Sequence, residues 1–116
     1  MNDRFVVPAA AWLEIVVGAT FLTVPDIPGR LLFAATPVGV GLPLARFSWI
    51  ALVALGIACL SSKATGPIRS AVLGLYFFNV GTTIFCGWMA VANPFRGVLL
   101  WPVVILHAVI ATALLL

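Results

Sequence analysis

The chain has 116 residues, of which 64% are hydrophobic and 8% are charged, whereas about 25% of the residues in a soluble domain are charged. Six basic and three acidic side chains cannot cover that much apolar surface, so the composition excludes an ordinary water-soluble domain. The net charge of +3 is dispersed along the chain, which excludes a basic patch for nucleic acid.

The first apolar segment is predicted to be a helix from about Val6 to Val24. It has the length of a membrane span, since about 20 residues cross ~30 Å of hydrocarbon. Pro8 falls in its first turn, where a missing N–H costs little. Glu14 interrupts the segment where a signal peptide would be apolar, and no A-x-A cleavage site follows. We therefore expect a retained first membrane helix.

The connection after this segment, Pro25–Gly41, is long and partly apolar. Two interpretations are open. Its middle, Arg30–Ala35, forms a short helix in the membrane interface, with Arg30 reaching the headgroups, or the connection is an ordered loop that caps the bundle.

Three further apolar segments are predicted to be helices, and they cover about Leu42–Leu60, Ser70–Val91 and Val98–Leu116. They are continuous rather than alternating, and too long for the ~9–11 residues of a barrel strand. Short polar connections make neighbouring helices antiparallel. The predicted fold is therefore an all-α membrane protein, with a single domain over residues 1–116 in which four transmembrane helices form an antiparallel bundle.

Four crossings place both ends of the chain on one side of the membrane. That side carries Arg4, Lys63 and Arg69, and the other side carries Arg30 and Arg96. Because cytoplasmic loops carry an excess of basic residues, the distribution favours cytoplasmic termini.

The sequence contains no pattern that predicts a catalytic or metal site. Cys59 and Cys86 are expected to differ in depth by about 20 Å, whereas a disulfide needs Cα atoms within about 7 Å. No metal-ligand spacing is present, so we predict no metal and no other cofactor. One histidine without a catalytic motif indicates a protein that is not an enzyme.

Three polar side chains are predicted to lie at one depth inside the membrane. Counted from the side of the termini, Glu14 lies roughly 12 Å deep, and Asn79 and His107 lie roughly 13 Å deep. Ionisable groups are costly in a bilayer and usually face the bundle interior. We therefore predict a hydrogen-bonded cluster of Glu14, Asn79 and His107. It either holds the helices together, binds a proton or ligand, or is completed by a partner protein.

The third predicted helix extends this cluster into a polar stripe. By spacing, the same helix face carries Tyr76, Asn79, Thr82, Thr83 and Cys86. The stripe is about 15 Å long and leads from the cluster toward the side opposite the termini.

Two resemblances to known families follow from these features. With Gly18 in the first helix, a semi-polar first connection and Gly56 in the second helix, the chain resembles the small DoxX-like inner-membrane proteins of bacteria. This implies a multi-pass bacterial plasma-membrane protein, sometimes an accessory to a redox complex. The segment EIVVGAT, from Glu14 to Thr20, is similar to the first helix of small multidrug resistance transporters, which implies that Glu14 is a proton-coupling acid.

Two functions are consistent with the sequence. The leading one is a non-enzymatic accessory or structural component of a membrane assembly, embedded in the lipid bilayer as a homo-oligomer or within a larger membrane complex. The alternative is a proton-coupled small-molecule transporter. In it, Glu14 alternates between a proton and a substrate, assisted by Asn79 and His107.

Overall fold

The computed structural model describes residues 5–65, 68–92, 94 and 96–116, and the side chains of 62–65 and 68–69 are outside that description. These residues form five helices and no strand: α1 (Val6–Thr23), α2 (Asp26–Phe33), α3 (Gly41–Thr65), α4 (Ile68–Ala92) and α5 (Leu100–Leu115). The predicted all-helical fold class is confirmed for this part of the chain. Arg4 and the side chains of Lys63 and Arg69, on which the predicted charge asymmetry depends, are not among the described groups.

Three of the helices have the length and composition of membrane spans. They are α1 over Val6–Thr23, α3 over Gly41–Ser61 and α4 over Ser70–Ala92. The fourth apolar helix, α5, is shorter. Its 16 residues extend about 24 Å at 1.5 Å per residue, somewhat less than the ~30 Å of a hydrocarbon core.

The four long helices alternate in direction around a shared core. This core, the terminal cluster, consists of the buried side chains Val7, Ala10, Ala11, Cys59, Val72, Leu75 and Leu114. α1 and α4 contribute residues of their N-terminal halves to the cluster, and α3 and α5 contribute residues of their C-terminal halves. Consecutive long helices therefore run antiparallel.

A second core at the opposite end is built from fewer helices. This distal cluster consists of the buried side chains Cys86, Ala90 and Leu100, with Phe33, Met89, Val103 and Val104 packed against it. It draws on α2, α4 and α5, and none of its described members comes from α1 or α3. The closest helix pairs are α1 with α3 and α4 with α5, so the two pairs share a buried cluster at the terminal end only.

Glycines allow α1 and α3 to approach closely. A Cβ atom on Gly56 would lie 2.5 Å from Ile15 Cγ1 and 2.6 Å from the Ala11 carbonyl oxygen. A Cβ on Gly18 would lie 3.0 Å from Val53 Cγ2. Small residues at such contacts let two backbones pack against each other in a membrane.

The first connection contains a helix, α2, that begins at Asp26 rather than near Arg30. Asp26 in the first turn favours a helix start there, because an acid stabilises the N-terminal end of the helix dipole. Left-handed Ala34 (φ 53°) ends the helix, and its N–H donates to the Arg30 carbonyl. Arg30 is exposed, and its Nε donates to Thr36 Oγ1 at 3.3 Å.

Backbone hydrogen bonds attach α2 to the connection between α4 and α5. The amide of Gly97 donates to the Leu32 carbonyl, and the amide of Leu99 donates to the Leu31 carbonyl, each at 2.8 Å. α2 also contacts α1 and α5. The first connection therefore forms a short helix that caps the distal end, and its position in the membrane interface stays a prediction.

Candidate functional site

Three helices each place one polar side chain in the interior of the bundle. On α1 the buried residues recur at helical spacing, in the order Val7, Ala10, Ala11, Glu14 and Gly18. The corresponding face of α4 carries Val72, Leu75, Asn79, Cys86 and Ala90. Glu14 is 1% exposed, Asn79 is fully buried and His107 of α5 is 8% exposed. All three residues of the predicted site thus face inward.

The three side chains occupy a layer directly above the terminal cluster. Glu14 lies one helical turn beyond Ala10 and Ala11 of that cluster, and Asn79 lies one turn beyond Leu75. His107 is at the level of Asn79 because the two side chains are hydrogen-bonded. We call Glu14, Asn79 and His107 the polar layer.

Asn79 uses both ends of its side-chain amide. Its Oδ1 lies 2.7 Å from His107 Nδ1, and its Nδ2 donates to the Leu75 carbonyl at 2.7 Å. The Thr83 hydroxyl donates to the backbone carbonyl of Asn79 at 2.8 Å. The pair Asn79–His107 therefore joins α4 to α5 inside the bundle.

This network determines which nitrogen of His107 carries the proton. Asn79 Nδ2 faces a carbonyl, which only accepts, so the amide has its nitrogen toward Leu75 and its oxygen toward His107. An amide oxygen accepts hydrogen bonds, so Nδ1 of the ring is the N–H donor. In the neutral ring the lone pair is then on Nε2. Edge contact with Phe78, at a centroid distance of 5.9 Å, also restrains the ring.

Glu14 is the member of the layer that lacks a partner. Its Oε1 is enclosed and, among the described residues, is the one buried side-chain N or O atom without a hydrogen bond. An enclosed polar atom without a partner costs about 1–3 kcal/mol. The predicted cluster is therefore formed in part, because no described hydrogen bond joins Glu14 to Asn79 or His107.

The predicted polar stripe is divided between the two cores. Tyr76 is half-buried against the terminal cluster, and Cys86 belongs to the distal cluster. Thr82 and Thr83 are half-buried between them, and Thr83 reaches the polar layer through the Asn79 carbonyl. This face of α4 therefore carries polar side chains as well as side chains that belong to the two apolar cores.

Sequence reasoning did not connect Cys59 with this site. Cys59 is fully buried in the terminal cluster, and its thiol lies close enough to Glu14 to interact with it electrostatically. Its Sγ donates to the Ala71 carbonyl at 3.6 Å. A signal was present in the sequence, since Gly56 and Cys59 are small residues three apart and therefore share the α3 face that meets α1.

The described residues contain no group of three His, Cys, Asp or Glu side chains that could hold a metal ion. No family model, curated protein or solved structure matches the chain. The chemistry of the polar layer and the shape of the helix bundle are therefore the basis for a functional proposal.

Proposed function

We propose that the protein is a non-enzymatic accessory or structural component of a membrane assembly in the bacterial plasma membrane, with four crossings and cytoplasmic termini. The observation that carries the proposal is the Asn79–His107 hydrogen bond. It joins two membrane helices, and both ends of the amide are bonded to protein atoms. Polar groups used in this way hold helices together in a bilayer.

The fourth crossing in this proposal is α5. Its outer face is apolar and exposed at Trp101, Ile105, Val109 and Leu115, as expected for a face in contact with lipid. A helix of this length crosses by thinning the bilayer locally, at a modest cost per ångström of mismatch.

Reporter fusions test the number of crossings. A reporter that is active only in the cytoplasm, fused at residue 1 or at residue 116, is expected to be active in both positions. The same reporter inserted after Gly39, in the exposed connection between α2 and α3, is expected to be inactive. Opposite results for the two ends would indicate an odd number of crossings and exclude the proposed topology.

The outer face of α4 supports the assignment to an oligomer or a larger complex. It exposes large apolar side chains along the whole helix, namely Leu73, Phe77, Ile84, Phe85, Trp88 and Val91. Either lipid or a second protein can cover such a face. Association with a second protein would hold this small chain in one place in the membrane assembly.

Purification in mild detergent followed by mass determination tests this assignment. We expect a complex heavier than one chain, and we expect Phe77→Ala with Phe85→Ala on α4 to dissociate it. The matched control is Ile105→Ala with Val109→Ala on α5, whose side chains are exposed to a similar extent. Recovery of single chains in every detergent and lipid mixture would overturn the assignment.

The second candidate function is proton-coupled transport of a small molecule, and Glu14 Oε1 is the observation that favours it. A buried carboxyl oxygen without a partner holds no helices together, so a structural role does not explain it. Ionisable groups inside membrane helices commonly mark proton or substrate pathways.

Flux measurements in proteoliposomes test this candidate. We expect pH-dependent uptake by wild type, its loss in Glu14→Gln, and its retention in the control Asp26→Asn, which changes an exposed acid on α2. Absence of uptake by wild type across a broad panel of cations and neutral solutes would remove the transport function.

A further inference from the structure

Two atoms of the polar layer for which no hydrogen bond is described have complementary chemistry. One is Glu14 Oε1, which is enclosed and has no partner. The other is His107 Nε2, which is not enclosed to the same degree and for which no hydrogen bond is described, while Nδ1 is bonded to Asn79. A protonated carboxyl group offers an O–H donor, and Nε2 offers a lone pair. Each atom can therefore supply what the other lacks.

Glu14 and His107 lie in one layer of the bundle, on two helices that contact each other. Both residues are in the polar layer, one turn above the terminal cluster. α1 contacts α5 directly, and packed helices have axes about 8–10 Å apart. A glutamate and an imidazole are together long enough to span that separation, so a hydrogen bond between them requires the Glu14 side chain to rotate toward α5.

We propose that Glu14 and His107 share one proton. The Glu14 O–H donates to Nε2, and when the proton moves, the O–H bond breaks, the Nε2–H bond forms, and a carboxylate faces an imidazolium. No net charge is created, and the buried carboxylate and imidazolium are tolerated only while they stay hydrogen-bonded to each other. The inference rests on the second candidate function and names the second proton-binding group of that site.

Asn79 acts here as a positioning residue. Its Oδ1 accepts from Nδ1–H, and this bond persists in both protonation states of the ring, because Nδ1 carries a hydrogen in both. Asn79 therefore directs the exchangeable proton to Nε2 without taking part in the transfer.

The surroundings contain few competing groups. From α3, the Cys59 thiol lies near Glu14 and donates to the Ala71 carbonyl. From α4 come Asn79 and, one turn lower, the half-buried Tyr76. The charged residues of α2, Asp26 and Arg30, are exposed at the distal end. Among the described residues, His107 is therefore the basic group at the level of Glu14.

The chain suits a direct test because it contains one glutamate and one histidine. Wild type labelled with ¹³C-glutamate and ¹⁵N-histidine is reconstituted in bilayers for solid-state NMR. We expect the neutral ring to carry its proton on Nδ1, and the Glu14 carboxyl carbon to lie within about 4 Å of Nε2, as a hydrogen bond requires. A neutral ring protonated on Nε2, or a carbon–nitrogen distance beyond about 5 Å, overturns the proposal without any variant.

Variants test the role of Asn79 in the same spectra. Asn79→Ala removes the acceptor of Nδ1–H, so the tautomer with the proton on Nε2 is expected to appear beside the wild-type tautomer, which the Glu14 O–H still favours. The control Thr83→Val removes a hydroxyl that bonds only the Asn79 backbone and is expected to keep the wild-type tautomer. An unchanged tautomer in Asn79→Ala contradicts the positioning role of Asn79 and shows that the Glu14 O–H alone determines the tautomer.

The NMR measurement tests the proton pair and the flux assay tests transport, so either hypothesis can fail while the other holds. A short carbon–nitrogen distance in a protein that transports nothing removes the transport function and leaves the proton pair. If the protein transports a solute but the Glu14 carboxyl carbon lies beyond about 5 Å from Nε2, the proton pair is removed and transport is left.

Discussion

Asn79 is a neutral polar residue in the most enclosed part of an apolar bundle, and its environment explains why it is tolerated there. The amide bonds a carbonyl of its own helix through Nδ2 and an imidazole of the next helix through Oδ1. In hydrocarbon such a group would be costly without partners. The same bonds make the contact between α4 and α5 specific, because apolar side chains alone impose no register.

Replacing Asn79 is therefore expected to weaken the fold. In Asn79→Leu, the Nδ1–H of His107 loses its acceptor and stays buried, so the free energy of unfolding should fall by about 1–2 kcal/mol. Unfolding in mixed micelles with increasing SDS measures the change. The control is Thr112→Val, whose hydroxyl is exposed and bonds only Ala108 of its own helix. Equal effects of the two variants would show that the cross-helix bond contributes nothing.

Much of this layer could be predicted from residue types, and the bonding pattern could not. A carboxyl, an amide and an imidazole inside long apolar segments have to face inward, and counting the rise per residue places them at one depth. The choice of partners depends on side-chain rotamers and on the Leu75 carbonyl, a backbone group with no signature in the sequence. That is why a three-membered cluster was expected where the structure joins two members.

At the level of the elements, the close contact between α1 and α3 requires glycine at position 56. Gly56→Ala would place a methyl group 2.6 Å from the Ala11 carbonyl oxygen. Because backbone cannot move aside cheaply, we expect a loss of about 1–3 kcal/mol, measured by the same unfolding titration. The control is Gly74→Ala, whose nearest neighbour would be 3.8 Å away. Its effect should be neutral or stabilising, and a loss as large as that of Gly56→Ala would contradict the interpretation.

The attachment of α2 depends on a second glycine. A Cβ on Gly97 would collide with the Leu31 carbonyl, so Gly97→Ala is expected to separate α2 from the following loop. Hydrogen exchange measures this at the amide of Leu99, which donates to that carbonyl and should exchange at least tenfold faster, as loss of about 1.4 kcal/mol of protection implies. Gly41→Ala, where the space is open, should leave the exchange unchanged. Unchanged exchange in Gly97→Ala would show that the loop is held by other contacts.

The four apolar helices and α2 differ in how far sequence alone predicts them. Continuous apolar segments of about 20 residues predict α1, α4 and α5 to within two residues of their observed bounds, whereas α3 continues to Thr65, five residues past its predicted end. The position of α2 follows from backbone bonds between segments far apart in the chain. Such pairing is a tertiary effect, and neither periodicity nor composition reports it.

At the scale of the molecule, the two ends of the bundle are built differently. The longest dimension is 41 Å, which is comparable to the ~40–45 Å of a bilayer with its headgroups. Four helices meet in the terminal cluster, whereas the distal cluster contains no described residue of α1 or α3. The polar layer lies between the two clusters. Relative motion of the two helix pairs is therefore expected to be greatest at the distal end.

Distances between spin labels test this expectation. In a background with Cys59→Ala and Cys86→Ala, one label pair at Leu22 and Trp101 reports the distal end, and a second pair at Phe5 and Leu115 reports the terminal end; all four positions are exposed. The distal pair should give the broader distance distribution, because fewer buried contacts restrain it. Equally narrow distributions at both ends would show a uniformly rigid bundle.

The attachment of α2 also has a consequence for biosynthesis. The Leu31 and Leu32 carbonyls emerge early, but the amides that they accept belong to Gly97 and Leu99, which are translated only after α4. Until then water or headgroups must satisfy these carbonyls, since a bare carbonyl in lipid is costly. The cap is therefore completed last, after the connection between α4 and α5 has been synthesised, and truncation before Gly97 leaves a nascent protein whose distal end is open.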